Sequence, residues 1–257
     1  SNDHHLYLSS IGGSTFSGCA SLSIDGISGI GISGDSLEKV ENKNGEGTTI
    51  GIGIVNNTSL RSANCMITGD MGAKLNKYFS SSITANAFYN CASLTSLDLS
   101  ELANSLTSID SDAFSGCANL TTIGGLSNFT NLTTIDHYAF YGCAAITTVV
   151  LPNSLSTIGS RVFYDCTSLT TLKLPSAMFA TDNQTSITSR AFNGCASLSN
   201  IYLPTDAEAM PNTYNSNAFD DCPVSGTIWY PAGKENIATN FRSKFTALAN
   251  WTPLPIQ

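Results

Sequence analysis

From Ile83 onward the apolar positions of the chain return in one fixed arrangement. Residues 135–152 read IDHYAFYGCAAITTVVLP, residues 158–175 read IGSRVFYDCTSLTTLKLP, and residues 187–204 read ITSRAFNGCASLSNIYLP. Two earlier segments lack the closing proline: ITANAFYNCASLTSLDLS from Ile83 and IDSDAFSGCANLTTIGGL from Ile109. A degenerate copy, YNSNAFDDCPVSGTIWYP, starts at Tyr214. The shared unit is I-x-x-x-A-F-x-x-C-x-x-L-x-x-L-x-L-P. Its phenylalanines are Phe88, Phe114, Phe140, Phe163, Phe192 and Phe219, spaced by 26, 26, 23, 29 and 27 residues. A repeat of this period marks a solenoid, in which no unit buries its own apolar face but stacked units do.

The positions within the unit predict its elements. In Leu169-Thr-Thr-Leu172-Lys-Leu174-Pro175, apolar and polar residues alternate, the period of a strand with one buried face. Copies stack as a parallel sheet with rungs about 4.8 Å apart. Pro152, Pro175, Pro204 and Pro231 follow the last apolar residue of a strand and end it, because proline cannot donate to a ladder. In A-F-x-x-C, Phe and Cys stand at i and i+3, neighbours on one side of a helical turn. The expected fold is a leucine-rich repeat solenoid: a parallel β-sheet on one face, short helices or 3₁₀ turns opposite with Phe and Cys facing inward, and a cap at each end.

These residues carry a family resemblance. The unit resembles the BspA-type (Treponema pallidum-type) leucine-rich repeat, in six copies over residues 83–231, and Gly226-Thr-Ile-Trp-Tyr-Pro-Ala-Gly233 resembles that family's closing segment. Gly125 departs from the pattern where a strand leucine is usual, as do Tyr214 and Val224 in the last copy. The resemblance implies a secreted or cell-surface bacterial protein that binds through its sheet face. The start, Ser1-Asn2-Asp3-His4-His5, has no basic segment followed by an apolar core, so the expectation is a leader already removed.

Outside the repeats the pattern changes. Residues 1–63 form a β-rich region: Gly26–Gly34 and Thr48–Val55 alternate Ile with Gly or Ser, and Glu38–Gly47 between them reads as a polar loop. Thr15–Leu22 matches the A-F-x-G-C-A-S-L segment, which leaves a degenerate repeat and a cap both open. Residues 64–82 read as a lead-in strand and a helix, with Leu75, Tyr78 and Phe79 on one face. Two insertions, residues 178–186 and 205–215, read as surface loops. Residues 232–257 form a C-terminal cap, with Gly233–Ala249 helical and Ile237, Phe241, Phe245 and Leu248 on its buried side, then a tail through Pro253 and Pro255.

Composition narrows the function classes. Charged residues are only 12%, with Ser, Thr and Asn at the exposed positions instead, and the net charge is −8 with eleven Lys and Arg. That argues against nucleic acid and anionic lipid, which require basic patches. No apolar run reaches the length of a membrane span. Cys91, Cys117, Cys143, Cys166, Cys195 and Cys222 each follow the repeat Phe by three residues. Like positions on stacked rungs point the same way, whereas a disulfide needs converging Cβ vectors, so these six read as buried free thiols. Cys19 and Cys65 lie outside the ladder, and whether they pair is open. No Cys/His spacing suits a metal, and no cofactor motif is present.

Two outward columns on the sheet face are the candidate site. One is Ser96, Thr122, Thr148, Thr171, Asn200 and Thr227; the other is Asp98, Gly124, Val150, Lys173, Tyr202 and Trp229. Lys173, Tyr202 and Trp229 are bulky and adjacent, the composition of a binding hot spot; the named binding set is completed by Val150, Asp98, Thr148, Thr171 and Asn200. The hydroxyl column also fits a plain solvated strand face, and a cap lying over Trp229 would hide it. His137 occupies a variable surface position, and no nucleophile motif or carboxylate pair points to catalysis. The reading is a non-catalytic binding or adhesion module that engages a protein or glycan on a host or neighbouring cell. A polysaccharide-active enzyme and a structural spacer are the alternatives. Titration of the denatured chain without reductant should find at least six free thiols; a smaller number would overturn the thiol ladder.

Overall fold

The computed structural model describes residues 82–256 except Thr84, Ala87, 91–94, Ser100, Glu101, 181–185 and Asn212, together with the backbone of four short strands nearer the N-terminus. Those four are β1 (Leu22–Ile24), β2 (Ile30–Ser33), β3 (Val40–Asn42) and β4 (Ile52–Val55). They pair in parallel as β1 with β3 and β2 with β4. The expected strands around Ile30 and Ile52 are present, but β3 falls inside the segment expected to be a polar loop. Val40 supplies the β-branched residue that a loop reading of Glu38–Gly47 passed over. The lead-in strand and helix, Cys19, Cys65 and Cys91 lie outside the described residues.

From Ser82 two kinds of strand alternate. They are β5 (Ser82–Ile83), β6 (Ser96–Asp98), β7 (Ser108–Ile109), β8 (Thr122–Gly124), β9 (Thr134–Ile135), β10 (Thr148–Val150) and β11 (Thr157–Ile158). Next come β12 (Thr171–Lys173), β13 (Ser186–Ile187), β14 (Asn200–Tyr202), β15 (Thr213–Tyr214), β16 (Thr227–Tyr230) and β17 (Thr252–Pro255). The longer strands make the expected parallel sheet, in the order β10-β12-β14-β16-β17, with β6 and β8 as a separate pair. The two-residue strands form a second parallel sheet, β5-β7-β9-β11-β13-β15, that the repeat pattern did not predict. Its signature is the hydroxyl-plus-isoleucine pair that opens most units, too short for a period-two pattern to register.

The A-F-x-x-C segments are turns rather than helices. Alternate amides leave the rung and donate to the next one: Phe114 N to Ala139 O (2.7 Å), Phe140 N to Val162 O (2.9 Å) and Phe163 N to Ala191 O (2.8 Å). Helix is excluded because each complete turn in Asn86–Gly194 holds two residues in the left-handed region: Asp112 and Gly116, Tyr138 and Gly142, Arg161 and Asp165, Arg190 and Gly194. Before the cysteine this favours Gly, Asn or Asp. At Gly194 a Cβ would also stand 2.2 Å from Asp165 Oδ1.

Inside the coil the repeat side chains form two ladders. The rings of Phe88, Phe114, Phe140, Phe163, Phe192 and Phe219 stack in sequence, with centroids 5.0 to 5.5 Å apart and planes within 11°. Beside them, each described thiol donates to the phenylalanine carbonyl one rung earlier: Cys117 to Phe88 (3.0 Å), Cys143 to Phe114 (3.2 Å), and Cys166, Cys195 and Cys222 to Phe140, Phe163 and Phe192 (each 3.3 Å). The same carbonyl usually accepts its own rung's cysteine amide, as Phe140 O does from Cys143 N at 3.2 Å. The cysteines therefore act as hydrogen-bond donors as well as small hydrophobes, and all five described ones are free thiols.

The Ser and Thr residues that replace charge also link rungs. The hydroxyls of Thr121, Thr133, Thr170 and Ser199 bond to the carbonyls of Thr95, Thr107, Thr147 and Thr170 one rung back, at 2.9 to 3.3 Å.

Helix α1 (Glu235–Lys244) and a 3₁₀ turn (Thr246–Leu248) close the last rung. Phe245 meets Phe219 edge-to-face at 4.9 Å and 78°, and Phe241 meets it at 6.1 Å and 70°, so the ring stack ends on T-shaped contacts. Ile237, Phe241, Phe245 and Leu248 are buried as expected. Trp251 is fully buried, donates from Nε1 to Pro223 O (2.9 Å) and lies over Gly226, where a Cβ would come within 2.8 Å of its ring.

Two expectations are corrected here. The tail is not a loose end: Thr252 N and Ile256 N donate to Gly226 O and Tyr230 O, which makes β17 the sheet's edge. By the alternation of a strand, Pro253 and Pro255 occupy the outward positions, so this edge offers no N–H to another strand. The insertion after β12 is not wholly a surface loop either. Its first residues form a 3₁₀ turn (Ser176–Phe179) whose Met178 and Phe179 are fully buried, with Phe179 packed on Phe241 at 6.1 Å. An apolar Met-Phe pair has somewhere to go once a cap helix lies beside it.

Phe140→Ala, in the middle of the ring stack, should destabilise the fold by about 3–5 kcal/mol in denaturant melts. Alkaline pH should act through the thiols. Burial pushes Cys143 and Cys166 well above their ordinary range, and for Cys195 the hydrogen-bonding contact with Cys222 leads, followed by burial. Thiols that stay protonated when folded but ionise when unfolded favour the unfolded chain once pH passes their ordinary value of 9.0. Tm in reductant should therefore hold steady up to about pH 8.5 and fall above it, less steeply for Cys166→Ala.

Candidate functional site

The sheet face is built by register. Thr148, Thr171, Asn200 and Thr227 are partners across β10-β12-β14-β16, and Val150, Lys173, Tyr202 and Trp229 are partners two residues on. Val149, Leu172, Ile201 and Ile228 between them are buried, so both columns point outward. Prolines 152, 175 and 204 end each strand after one further amide, such as Leu174 N to Tyr202 O at 3.0 Å.

Three of the expected site residues form one continuous contact. Lys173 Nζ lies 5.3 Å from the centroid of the Tyr202 ring, and the Tyr202 and Trp229 rings stack at 5.8 Å with planes 13° apart. Trp229 Nε1 donates to Asn200 Oδ1 at 2.8 Å, which ties the hydroxyl column to the aromatic one. The cap does not fully bury Trp229; it is half-buried, as are Tyr202 and Asn200, and Lys173 is exposed. Thr171 and Val150 are half-buried and Thr148 is exposed along the same rungs. The column also continues further than expected, since Trp229 pairs with Leu254 of β17, which is 40% exposed. Leu254 was missed because a strand closed by two prolines reads as a tail.

Asp98 stands outside the five-stranded sheet. It lies on β6, whose partner β8 pairs Asp98 with Gly124 but does not pair with β10. Gly125 causes the break. It is left-handed (φ 78°) and starts a 3₁₀ turn (Leu126–Asn128) that carries Leu126 into the core where the strand leucine would be. The seam between β8 and β10 leaves a cleft of about 170 Å³ lined by residues such as Ile123, Gly125, Leu126, Ile146 and Val150.

The histidine and the carboxylates with raised pKa lie away from the sheet face. His137 is exposed on another side of the coil, where its Nδ1 accepts from Ser160 N (2.8 Å) and its Nε2 lies 3.6 Å from Asp136 Oδ1. Asp112 is raised from the usual carboxylate range by burial, and Asp165 by burial and the charge of Asp221; neither lies on the sheet face. Among the described residues no group of three His, Cys, Asp or Glu is placed to hold a metal, and no helix is long and apolar enough to cross a membrane.

Comparison with known proteins gives the same architecture. No curated protein matches the sequence. A leucine-rich cell surface protein of Faecalibacterium prausnitzii is 32% identical over 58% of this chain and 36% of its own, with a TM-score of 0.48. The Treponema pallidum leucine-rich repeat protein is 23% identical, covering 64% of this chain and 76% of its own, with a TM-score of 0.37. The pneumococcal vaccine antigen PcpA is 15% identical, covers 90% of this chain and 57% of its own, and superposes with a TM-score of 0.57, a likeness of fold. The chain thus spans about a third of the F. prausnitzii protein's length. The family model of the BspA type leucine rich repeat region matches six copies over residues 81–223 and 178–253, and the chain, with its stacked A-F-x-x-C turns and parallel sheet, belongs to that family.

Proposed function

We propose that this chain is a non-catalytic binding or adhesion module of a bacterial surface protein, and that it engages its partner through Lys173, Tyr202 and Trp229. The observation that carries this reading is the outward stack of an exposed cation with a half-buried phenol and indole on three successive rungs, held by Asn200. Such a surface is rigid before binding, which lowers the ordering cost of association. Thr148, Thr171 and Val150 extend it as a flat, uncharged flank.

The geometry favours a protein partner over a glycan. Tyr202 lies against one face of Trp229, and Leu254 occupies the rung on its other side, so the indole presents its edge outward. A sugar ring stacks on an open aromatic face, whereas ring edges, a phenol hydroxyl and an ammonium suit a protein surface. The family resemblance and the surface proteins with this architecture support an extracellular location.

The triple variant K173A/Y202A/W229A should weaken capture of a host or neighbouring-cell protein by about 100-fold or more, since hot-spot truncations cost 2 kcal/mol or more. Losing one stacked pair should lower Tm by only about 2–4 °C. Unchanged capture would move the site elsewhere, selective glycan-array binding would make the partner a glycan, and turnover abolished by changing one acidic residue would make the protein an enzyme.

A further inference from the structure

A second aromatic cluster lies on the turn side of the coil, away from the long-strand sheet. Tyr141 and Tyr164, on successive rungs, stack at 5.3 Å with planes 16° apart, and Tyr138 meets Tyr141 edge-on at 5.8 Å. The Arg161 guanidinium lies 5.4 Å from the Tyr138 ring centroid and donates from Nη1 to the Tyr138 hydroxyl at 2.6 Å. Arg190, one rung further along the same column, is exposed. Two of the chain's four arginines thus stand next to each other. We propose that Tyr138, Tyr141, Arg161, Tyr164 and Arg190 form a second interaction surface, fitted to an acidic segment of a protein partner.

The backbone supplies an independent argument. Tyr138, Arg161 and Arg190 sit at φ values of 58°, 56° and 55°, in the left-handed region. The two earlier rungs place Asn86 and Asp112 at this position, types that adopt it readily. Three successive rungs instead hold bulky side chains there, and the return within the fold is the contact between Arg161 and Tyr138. Strain that the interior does not require marks a site under another demand.

The chemistry selects the partner. Guanidinium groups pair with carboxylates in a bidentate fork, and Tyr with Arg is the composition of interface hot spots. Among the described residues neither Arg161 nor Arg190 is in an ion pair. The nearby carboxylates are engaged with the fold: Asp136 accepts from Ser111 Oγ (2.9 Å) and His137 N (2.8 Å), and Asp165 Oδ1 covers the backbone of Gly194. Tyr141 and Tyr164 each cover one face of the other and Arg161 lies over Tyr138, so no ring stands open on both faces to a sugar. Two arginines in a chain of net charge −8 are too few for a polyanion such as nucleic acid.

Random dodecapeptides displayed on phage and selected on the whole immobilised chain provide the test. Enriched peptides should be rich in Asp and Glu, should bind less well as salt rises, and should lose about tenfold or more in affinity for R161N/R190N. Asn already occupies this column at position 86, so the double variant should fold with a Tm equal to or above that of the parent. If it does not, Arg190→Asn alone reads out the same loss of affinity. The sheet-face variant K173A/Y202A/W229A should keep full peptide binding, which separates this surface from the one proposed above. Enrichment of neutral or basic peptides, no enrichment, equal binding by R161N/R190N, loss of binding in the sheet-face variant, or arginine-dependent binding to acidic glycans on an array would each overturn the proposal.

Discussion

From Phe114 to Phe192, the carbonyl of each repeat phenylalanine stands where three elements of the fold meet. It accepts the amide of its own cysteine, which closes the turn, and the thiol of the next rung's cysteine, which fixes that rung above it. A carbonyl has two lone pairs, and both are used here inside the buried core. Valine or alanine at the cysteine position would fill space but leave the second lone pair unmet, at a cost of order 1 kcal/mol per rung. The ring stack depends on this arrangement, because near-parallel planes at 5.0 to 5.5 Å require every turn to repeat its neighbour's geometry. The left-handed residues on either side of each phenylalanine from Phe88 to Phe192 are the conformational cost of that repetition.

Rung-to-rung bonding also governs the exterior. Serine and threonine hydroxyls bridge to carbonyls one rung back, so the polar skin is part of the scaffold rather than only a solvated layer. Charged residues are only 12% of the chain, and its large outward side chains gather at a few places. Stacking turns single substitutions into columns. A bulky residue on three adjacent rungs becomes a continuous ridge, as Lys173, Tyr202 and Trp229 do on the sheet and Tyr138, Arg161 and Arg190 do on the turns.

The interruptions are as informative as the regular rungs. At Gly125 the longer sheet splits while the two-residue sheet runs on through β7, β9 and β11, so the coil continues on two sides and opens on the third. At the far end the cap meets the ring stack edge-on and covers the last rung with Trp251, and the two prolines of β17 leave the sheet without outward donors.

Much of this was legible in the residues alone. A unit with Phe, Cys and three leucines at constant offsets can bury them only by coiling, so the solenoid, its main sheet, the inward thiols and the two outward columns followed from spacing. The resemblance of the unit named the family. The pattern did not reveal what depends on neighbours: the second sheet, whose strands are two residues long; the choice between helix and turn for A-F-x-x-C, which the spacing left open; the burial of Met178 and Phe179 under a cap distant in sequence; and the separation of Asp98 from Val150 at one glycine. Within a rung, periodicity determines which side chains face inward. Between rungs, hydrogen bonding and packing decide which columns are continuous, and those partners lie a full repeat away, where local pattern carries no information about contact.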